Sequence, residues 1–539
     1  MGYDPRRRRP LSLLLTFALV PLVAGACSTF STDPEASGPT PTADAAAAPD
    51  TTDPVKGTAD RGLTITVGDP KATAFVIQNG SLDLPIKLTR RDSTTGAVLV
   101  TVKGLPPEVT AESVTIPAGK TEGTLTLLAK ATSVQGGPTI ADITATEQGP
   151  LGTGASAKLS TFVRGARGGL DTTFGDKGAA RMYGLGSEAN AFDAKTLRNG
   201  SILVAARARN NLVLSRFTSS GVIDSSFAGG GTSIVLTSQG FPAFDVVEPA
   251  SPATGWIYFL QAAGSSMPRI VRLNLDGVGD TKFNGNGEVV LSDPGAAGSV
   301  LVPLQIIALA DGKALISHQR AGTTTMFVSR WNPDGTRDET YGTGGTCAGA
   351  GGKMLLRAGG AVFLTGGAGM RGCTANGVLD QSIGVAPDYT AVAGGGGAVD
   401  IARTPSGGVA FLNVRAGSNV LNRLTQTLEK DGSIGLLGDL LTPLGQATSN
   451  LSSTFVVQED GGVLIGTPAI GNLQSDTIGV LRYTAKGVID TSFGAGGTAT
   501  FTIGMGAELT KLVAQPDGCI LALGKSEAGF DAAMVRFWP

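Results

Sequence analysis

The sequence predicts an all-β chain, an N-terminal β-sandwich followed by a seven-bladed β-propeller. Three observations predict it. The 539 residues include 79 Gly and 28 Pro but only 16% charged residues. So many breakers with so few charges disfavour long helices and suit short strands joined by turns. Residues 63–163 alternate apolar and polar side chains in short runs. The rest of the chain repeats one unit of about fifty residues seven times. The single His excludes His-rich metal sites and argues against His-based catalysis. A formal charge of −2 gives no reason to expect nucleic acid as a partner.

The first thirty residues carry an address. Arg6 to Arg9 form a basic patch, and an apolar run follows from Leu11 to Val23, interrupted mainly by Thr16. A run of about 13 residues is too short to span a bilayer and suits a signal-peptide core. The small residues Ala24, Gly25 and Ala26 then precede Cys27. This arrangement resembles the lipobox of bacterial lipoproteins. The resemblance implies that residues 1–26 are cleaved and that Cys27 becomes the acylated first residue, a palmitate-type anchor. It places the protein in the cell envelope, on the outer rather than the inner membrane. Two or three acyl chains meet the requirement for a stable anchor. The alternative is an ordinary secretory signal with an unrelated Cys. Residues 27–61 are rich in Pro, Ala, Thr and Ser. They are expected to be a disordered tether, with a span of roughly 30–35 Å.

Residues 62–165 read as the sandwich. Leu63–Val67, Leu84–Leu88, Val98–Val102, Thr124–Leu127 and Ile140–Ile143 are half-buried strands by pattern. Turn signals separate them, at Asn79-Gly80, Gly104 to Pro107, Pro117 to Gly119 and Gly136 to Pro138. The stretches from Gly104 to Ala111 and from Val114 to Gly119 resemble immunoglobulin-like modules of bacterial envelope proteins. That resemblance implies a spacer or adhesive module.

Residues 166–539 carry the repeat on three anchors. An Asp three residues before an aromatic or aliphatic residue appears as Asp171 with Phe174, Asp224 with Phe227, Asp280 with Phe283 and Asp338 with Tyr341. Asp380 with Ile383, Asp431 with Ile434 and Asp490 with Phe493 complete the set. A turn Gly opens an apolar strand at Gly200, Gly255, Gly312, Gly360, Gly407, Gly461 and Gly518. An Arg ends a strand at Arg216, Arg272, Arg330, Arg371, Arg423, Arg482 and Arg536. Fifty residues allow four short strands, and a four-stranded sheet with two bare faces must stack on its neighbours. Either Thr161–Arg164 or Ala533–Phe537 closes the ring; the latter is the better match to Val213–Phe217. The text from Gly221 to Phe227, from Gly487 to Gly494 and from Gln515 to Leu521 resembles the delta-60 repeat family. The resemblance implies a bacterial propeller and names no activity.

Few residues suggest chemistry. The Arg and Asp eight residues apart in copies two to four, six and seven are expected to pair across one turn and pin it. Phe174, Phe227, Phe283 and Phe493 are expected between blades. His318 falls on or just after a strand and suits a structural role. Cys347 and Cys373 are candidates for a disulfide in an oxidising compartment, and Cys519 for a buried free thiol. No phosphate loop, nucleophile elbow or metal-ligand spacing is present. These features predict a monomeric, non-catalytic binding or scaffold module for protein or glycan, with no cofactor, held to the membrane at Cys27. The alternative is a propeller-type lyase or hydrolase acting on carbohydrate.

Overall fold

The structure, a computed structural model, describes residues 62–539 apart from 71, 92–93, 150–151, 183–188, 210, 238–242, 249–254, 262–266, 294–299, 350–351, 367–368, 384–399, 416–417, 428, 430, 434–438, 442–453, 468–476, 503–507 and 527–530. The signal segment, Cys27, the tether and Ile434 lie outside the described residues. Among the described residues there is no α-helix, and two 3₁₀ turns interrupt an otherwise all-β chain.

Residues 63–164 form two sheets. One orders its strands Leu63–Val67, Gly80–Arg90, Glu122–Ala129 and Val109–Ala111. The other runs Ala74–Ile77, Gly154–Arg164, Gly136–Glu147, Val98–Lys103 and Val114–Ile116. Strict alternation decides which face each side chain takes, as in the buried Leu63, Ile65 and Val67 against the exposed Thr64 and Thr66. The inward faces of both sheets supply one apolar cluster, with Ile86, Leu125 and Leu127 from the first and Val98, Val100 and Ile143 from the second. Burial of these β-branched and aliphatic groups is the driving force that holds the two sheets together. Thr161–Arg164 belongs here, paired in parallel with Ala74–Ile77.

Seven further sheets follow, numbered 1 to 7 in chain order. Sheets 1, 2, 3, 5 and 6 each hold four consecutive antiparallel strands, within 190–237, 243–290, 301–348, 400–441 and 454–502. Sheet 4, within 353–373, has three strands among the described residues. Sheet 7 combines Glu508–Ala514, Ile520–Ser526 and Asp531–Phe537 with Ala179–Met182, a strand that precedes sheet 1 in the chain. The first strand of each sheet packs on the first strand of the next, and Glu508–Ala514 packs on Asn190–Thr196, so the sheets close a ring.

The sequence repeat and the sheet are offset by one strand. Each copy except the one from Asp380, counted from its Asp among the described residues, opens with the outer strand of one sheet and continues into the first three strands of the next. Each of these copies is thereby shared between two sheets. Packing follows the same logic. Phe227 lies in a cluster with Leu203 and Leu214 of sheet 1 and Ile257 and Phe259 of sheet 2. Phe174, Phe283 and Phe493 are likewise fully buried. The glycine three residues before the Asp in two adjacent copies is required by the same packing. Gly221 and Gly277 have φ of +80° and +79°, and a Cβ on them would lie 2.8 Å and 2.5 Å from the rings of Phe174 and Phe227. Only Gly offers both the backbone conformation and the room for the neighbouring ring.

Candidate functional site

The repeat anchors act at the sheet-to-sheet seams. Arg216 and Asp224 lie 2.7 Å apart, Arg272 and Asp280 2.8 Å, Arg330 and Asp338 2.8 Å, and Arg423 and Asp431 2.9 Å. Arg482 pairs with Asp490. Each Asp first caps its own turn, as Asp224 Oδ1 does by accepting from the Ser226 N–H and hydroxyl. The guanidinium then crosses the seam: Arg216 donates to the Leu275 carbonyl, Arg330 to Ala375 and Arg423 to Ala485. The N–H after the aromatic residue does the same, from Ala228 to Asp276 and from Asn284 to Asp334. Asp171, first of its kind, is paired with Arg536, last of its kind, at 2.8 Å.

Arg371 departs from the expected pattern. The Asp380 N–H bonds to the Gly372 carbonyl, as Asp224 bonds to Arg216, so Gly372 holds the Arg position. The side chain of Ile383 fills that space, within 2.0 Å of where a Gly372 Cβ would stand. Arg357 replaces the missing partner and reaches Asp380 at 3.3 Å.

The isolated residues are buried. His318, on Ala314–Arg320, stacks on Phe327 and shares a 2.6 Å hydrogen bond with Ser329. Burial, with Arg337 nearby, pushes its imidazole down to about 3. Cys347 and Cys373 form a disulfide with Cα atoms 6.3 Å apart, joining the outer strand of sheet 3 to sheet 4. Cys519 is free and buried, and burial pushes its thiol up to about 12.

Charged groups converge instead where the first strands meet around the axis. Asp193, Gln305, Lys353, Asp400, Thr454 and Lys511 share one level of the ring. They stand opposite Ala205, Ser317, Thr365, Leu412, Gly466 and Leu523 of the second strands. Lys195 and Asp245 each lie two residues along from that level, opposite Leu203 and Tyr258. Irregularities between Ala191 and Asp193, Pro303 and Gln305, and Leu509 and Lys511 bring three of these residues onto that level. A bulge re-aims the side chain that follows it. Individual strand segments show none of this, because the convergence belongs to seven strands far apart in sequence. The missed signal was a charged or polar residue within each first strand.

Two ion pairs cross sheet boundaries within this group. Lys195 meets Asp245 of sheet 2 at 3.1 Å. Lys511 of sheet 7 meets Asp400 of sheet 5 at 2.6 Å, past the strand Thr454–Val457 between them. These lysines lie on the first strands around the axis, yet 37% and 29% of their side chains remain open to solvent. Burial alone would lower both ammonium groups, but Asp245 and Asp193 raise Lys195, and Asp400 and Asp193 raise Lys511. Lys353 behaves otherwise. Burial and the neighbouring Lys511 hold it below the usual ammonium range, with Asp400 and Asp193 opposing. The uncharged members clamp the strands. Gln305 donates to the Met354 carbonyl and accepts from its N–H, and Thr454 Oγ1 accepts from the Leu512 N–H. Among the described residues no three His, Cys, Asp or Glu side chains converge as metal ligands.

A family described as a domain of unknown function (DUF5122) beta-propeller matches residues 255–283. That segment holds the two middle strands of sheet 2, Arg272, Asp280 and Phe283. No curated protein matches the chain. Among solved structures, prolyl oligopeptidase B from Galerina marginata with a macrocyclization substrate is 8% identical, with a TM-score of 0.33 over 63% of this chain and 47% of that one. The apo form of the same enzyme is 9% identical, with a TM-score of 0.31 over 64% and 57%. Domains 4–9 of the surface layer protein SbsC are 11% identical, with a TM-score of 0.15 over 88% and 81%. The chain thus spans about half the length of the prolyl oligopeptidases it resembles. The segment match and the sheets around it support a β-propeller domain within an all-β chain.

Proposed function

We propose that the protein is a lipid-anchored component of the cell envelope, displaying a seven-bladed propeller of delta-60 type as a non-catalytic binding module. Cys27 carries the lipid, residues 27–61 form the tether, and residues 62–165 act as an immunoglobulin-like spacer. The propeller engages an envelope glycan or protein at its axial channel. The observation that carries this reading is the charged level inside the ring. Lys195, Lys511, Asp245 and Asp400 sit in solvent-reached positions and are already paired. Pre-arranged charges of both signs suit recognition of a polar group by electrostatic complementarity. Co-sedimentation of the full chain with envelope polysaccharide tests it. Binding is expected, lost in Asp400→Asn, with no new reducing ends released. Release of reducing ends that Lys353→Gln abolishes would establish the other reading, a lyase or hydrolase; the depressed ammonium of Lys353 gives that reading its candidate base. Labelling with an alkyne fatty acid tests the anchor, and Cys27→Ser is expected to abolish the label.

A further inference from the structure

We infer that the axial channel takes a zwitterionic amino-carboxylate, with the ligand's carboxylate held at Lys353 and its ammonium at Asp193. This deepens the binding-module reading and rests on it. The level contains three lysines and three aspartates once Lys195 and Asp245 are included. Four of the six satisfy one another, in the pairs Lys195 with Asp245 and Lys511 with Asp400. Gln305 and Thr454 are committed to neighbouring backbone. Lys353 and Asp193 are left. Among the described residues neither has an opposite charge within ion-pairing distance, and Asp193 Oδ1 accepts only from the N–H of Ala194.

Their places on the ring explain why they do not meet. Asp193 lies on Asn190–Thr196 and Lys353 on Lys353–Leu356. Two first strands, Ala243–Val247 and Leu301–Ala308, separate them one way round. Three, Asp400–Arg403, Thr454–Val457 and Glu508–Ala514, separate them the other way. The two groups without an ion-pair partner therefore lie on opposite sides of the ring, and Asp193 acts on Lys353 only through space, as it does on Lys195 and Lys511. A molecule on the axis with an anionic and a cationic end completes both.

Charge balance selects the same class. The six groups sum to no net charge, so a lone anion or cation would leave the channel charged in a partly desolvated site. A zwitterion adds no net charge while giving each end a charge-assisted hydrogen bond. Lys353 already sits beside Lys511, whose charge is spent on Asp400. An incoming carboxylate relieves that repulsion.

Calorimetric titration of the full chain tests the inference. The probes are glycine, β-alanine, 4-aminobutyrate and 5-aminovalerate, with pentanoate and pentylamine as single-charge controls. At least one amino-carboxylate should bind about tenfold or more tightly than either control, the worth of one charge-assisted hydrogen bond. Asp193→Asn and Lys353→Gln should each remove that preference, with unchanged circular dichroism showing an intact fold. If a variant does not fold, the probe series on the unaltered chain decides alone. Pentanoate binding as tightly as its amino analogue would overturn the zwitterion and leave an anion site. Absence of binding across the series would overturn the ligand class. Polysaccharide co-sedimentation decides the binding-module reading separately.

Discussion

His318 shows how a residue that looks chemical in a sequence becomes structural when placed. Its Nε2 shares a proton with Ser329, which also accepts from the Trp331 indole N–H. The folded imidazole titrates near 3 against about 6.5 in the unfolded chain. Between those values the unfolded chain binds the extra proton, so this contribution is intact above pH 6.5 and is lost as pH falls toward 3. Each pH unit inside the window costs about 1.4 kcal/mol. Denaturant midpoints at pH 7 and pH 5 should converge in His318→Gln relative to the unaltered chain; an equal acid loss in both would remove His318 from the account. The seam pairs make a second case. Arg272 is 2% exposed, and its partner Asp280 is the nearest countercharge. Asp280→Ala leaves a buried guanidinium unpaired and should cost about 3–5 kcal/mol. The double change with Arg272→Met should lose less than Asp280→Ala alone, as measured by chemical denaturation. Asp338 is held well below the usual carboxylate range. Burial would raise it, but Lys313, Thr340 and Arg330 outweigh that effect.

At the scale of the element, sheet 4 is where the repeat weakens. Arg371 sits one place early, Gly372 takes its register, and Arg357 arrives from before the second strand to meet Asp380. The Cys347–Cys373 disulfide ties sheet 4 to sheet 3. Closing a loop of 26 residues is worth about 3.5 kcal/mol in the chain-entropy account. Cys347→Ala with Cys373→Ala should lower the unfolding free energy by about that amount, measured by urea denaturation. A change under about 1 kcal/mol would show that packing alone holds sheet 4. The three repeated anchors were legible because each recurs at a fixed offset from a turn. The displacement at Arg371 was not, because a nine-residue spacing reads as a tolerable variant until the backbone register assigns Gly372.

For the whole molecule, closure is the decisive contact. Asp531–Phe537 pairs with Ala179–Met182, Arg536 meets Asp171, and Trp538 donates to Gln135 of the sandwich at 3.0 Å. The same Gln135 accepts from the Thr172 N–H, and Arg164 donates to the Asp517 carbonyl. Removing residues 531–539 exposes the edge of Ile520–Ser526 and strands Ala179–Met182 without a partner. Such a chain should lose its cooperative thermal transition and aggregate, because an unpaired apolar edge templates further pairing. A truncated chain melting within a few degrees of the full one would show that the ring holds without its clasp.

From residue order alone came the all-β class, the seven-fold count of anchors, the preference for the C-terminal strand as the clasp and the pairing of Arg with Asp across one turn. These depend on local periodicity and on groups a few residues apart, which the chain displays directly. The axial charges did not come that way. Asp193, Lys353, Asp400 and Lys511 belong to four different sheets, and three strand irregularities bring Asp193, Gln305 and Lys511 to a common level. Whether a charge is spent or free is a property of distances across the ring. Only closure of the sheets decided that Lys511 would take Asp400 and that Lys353 and Asp193 would have no ion-pair partner among the described residues.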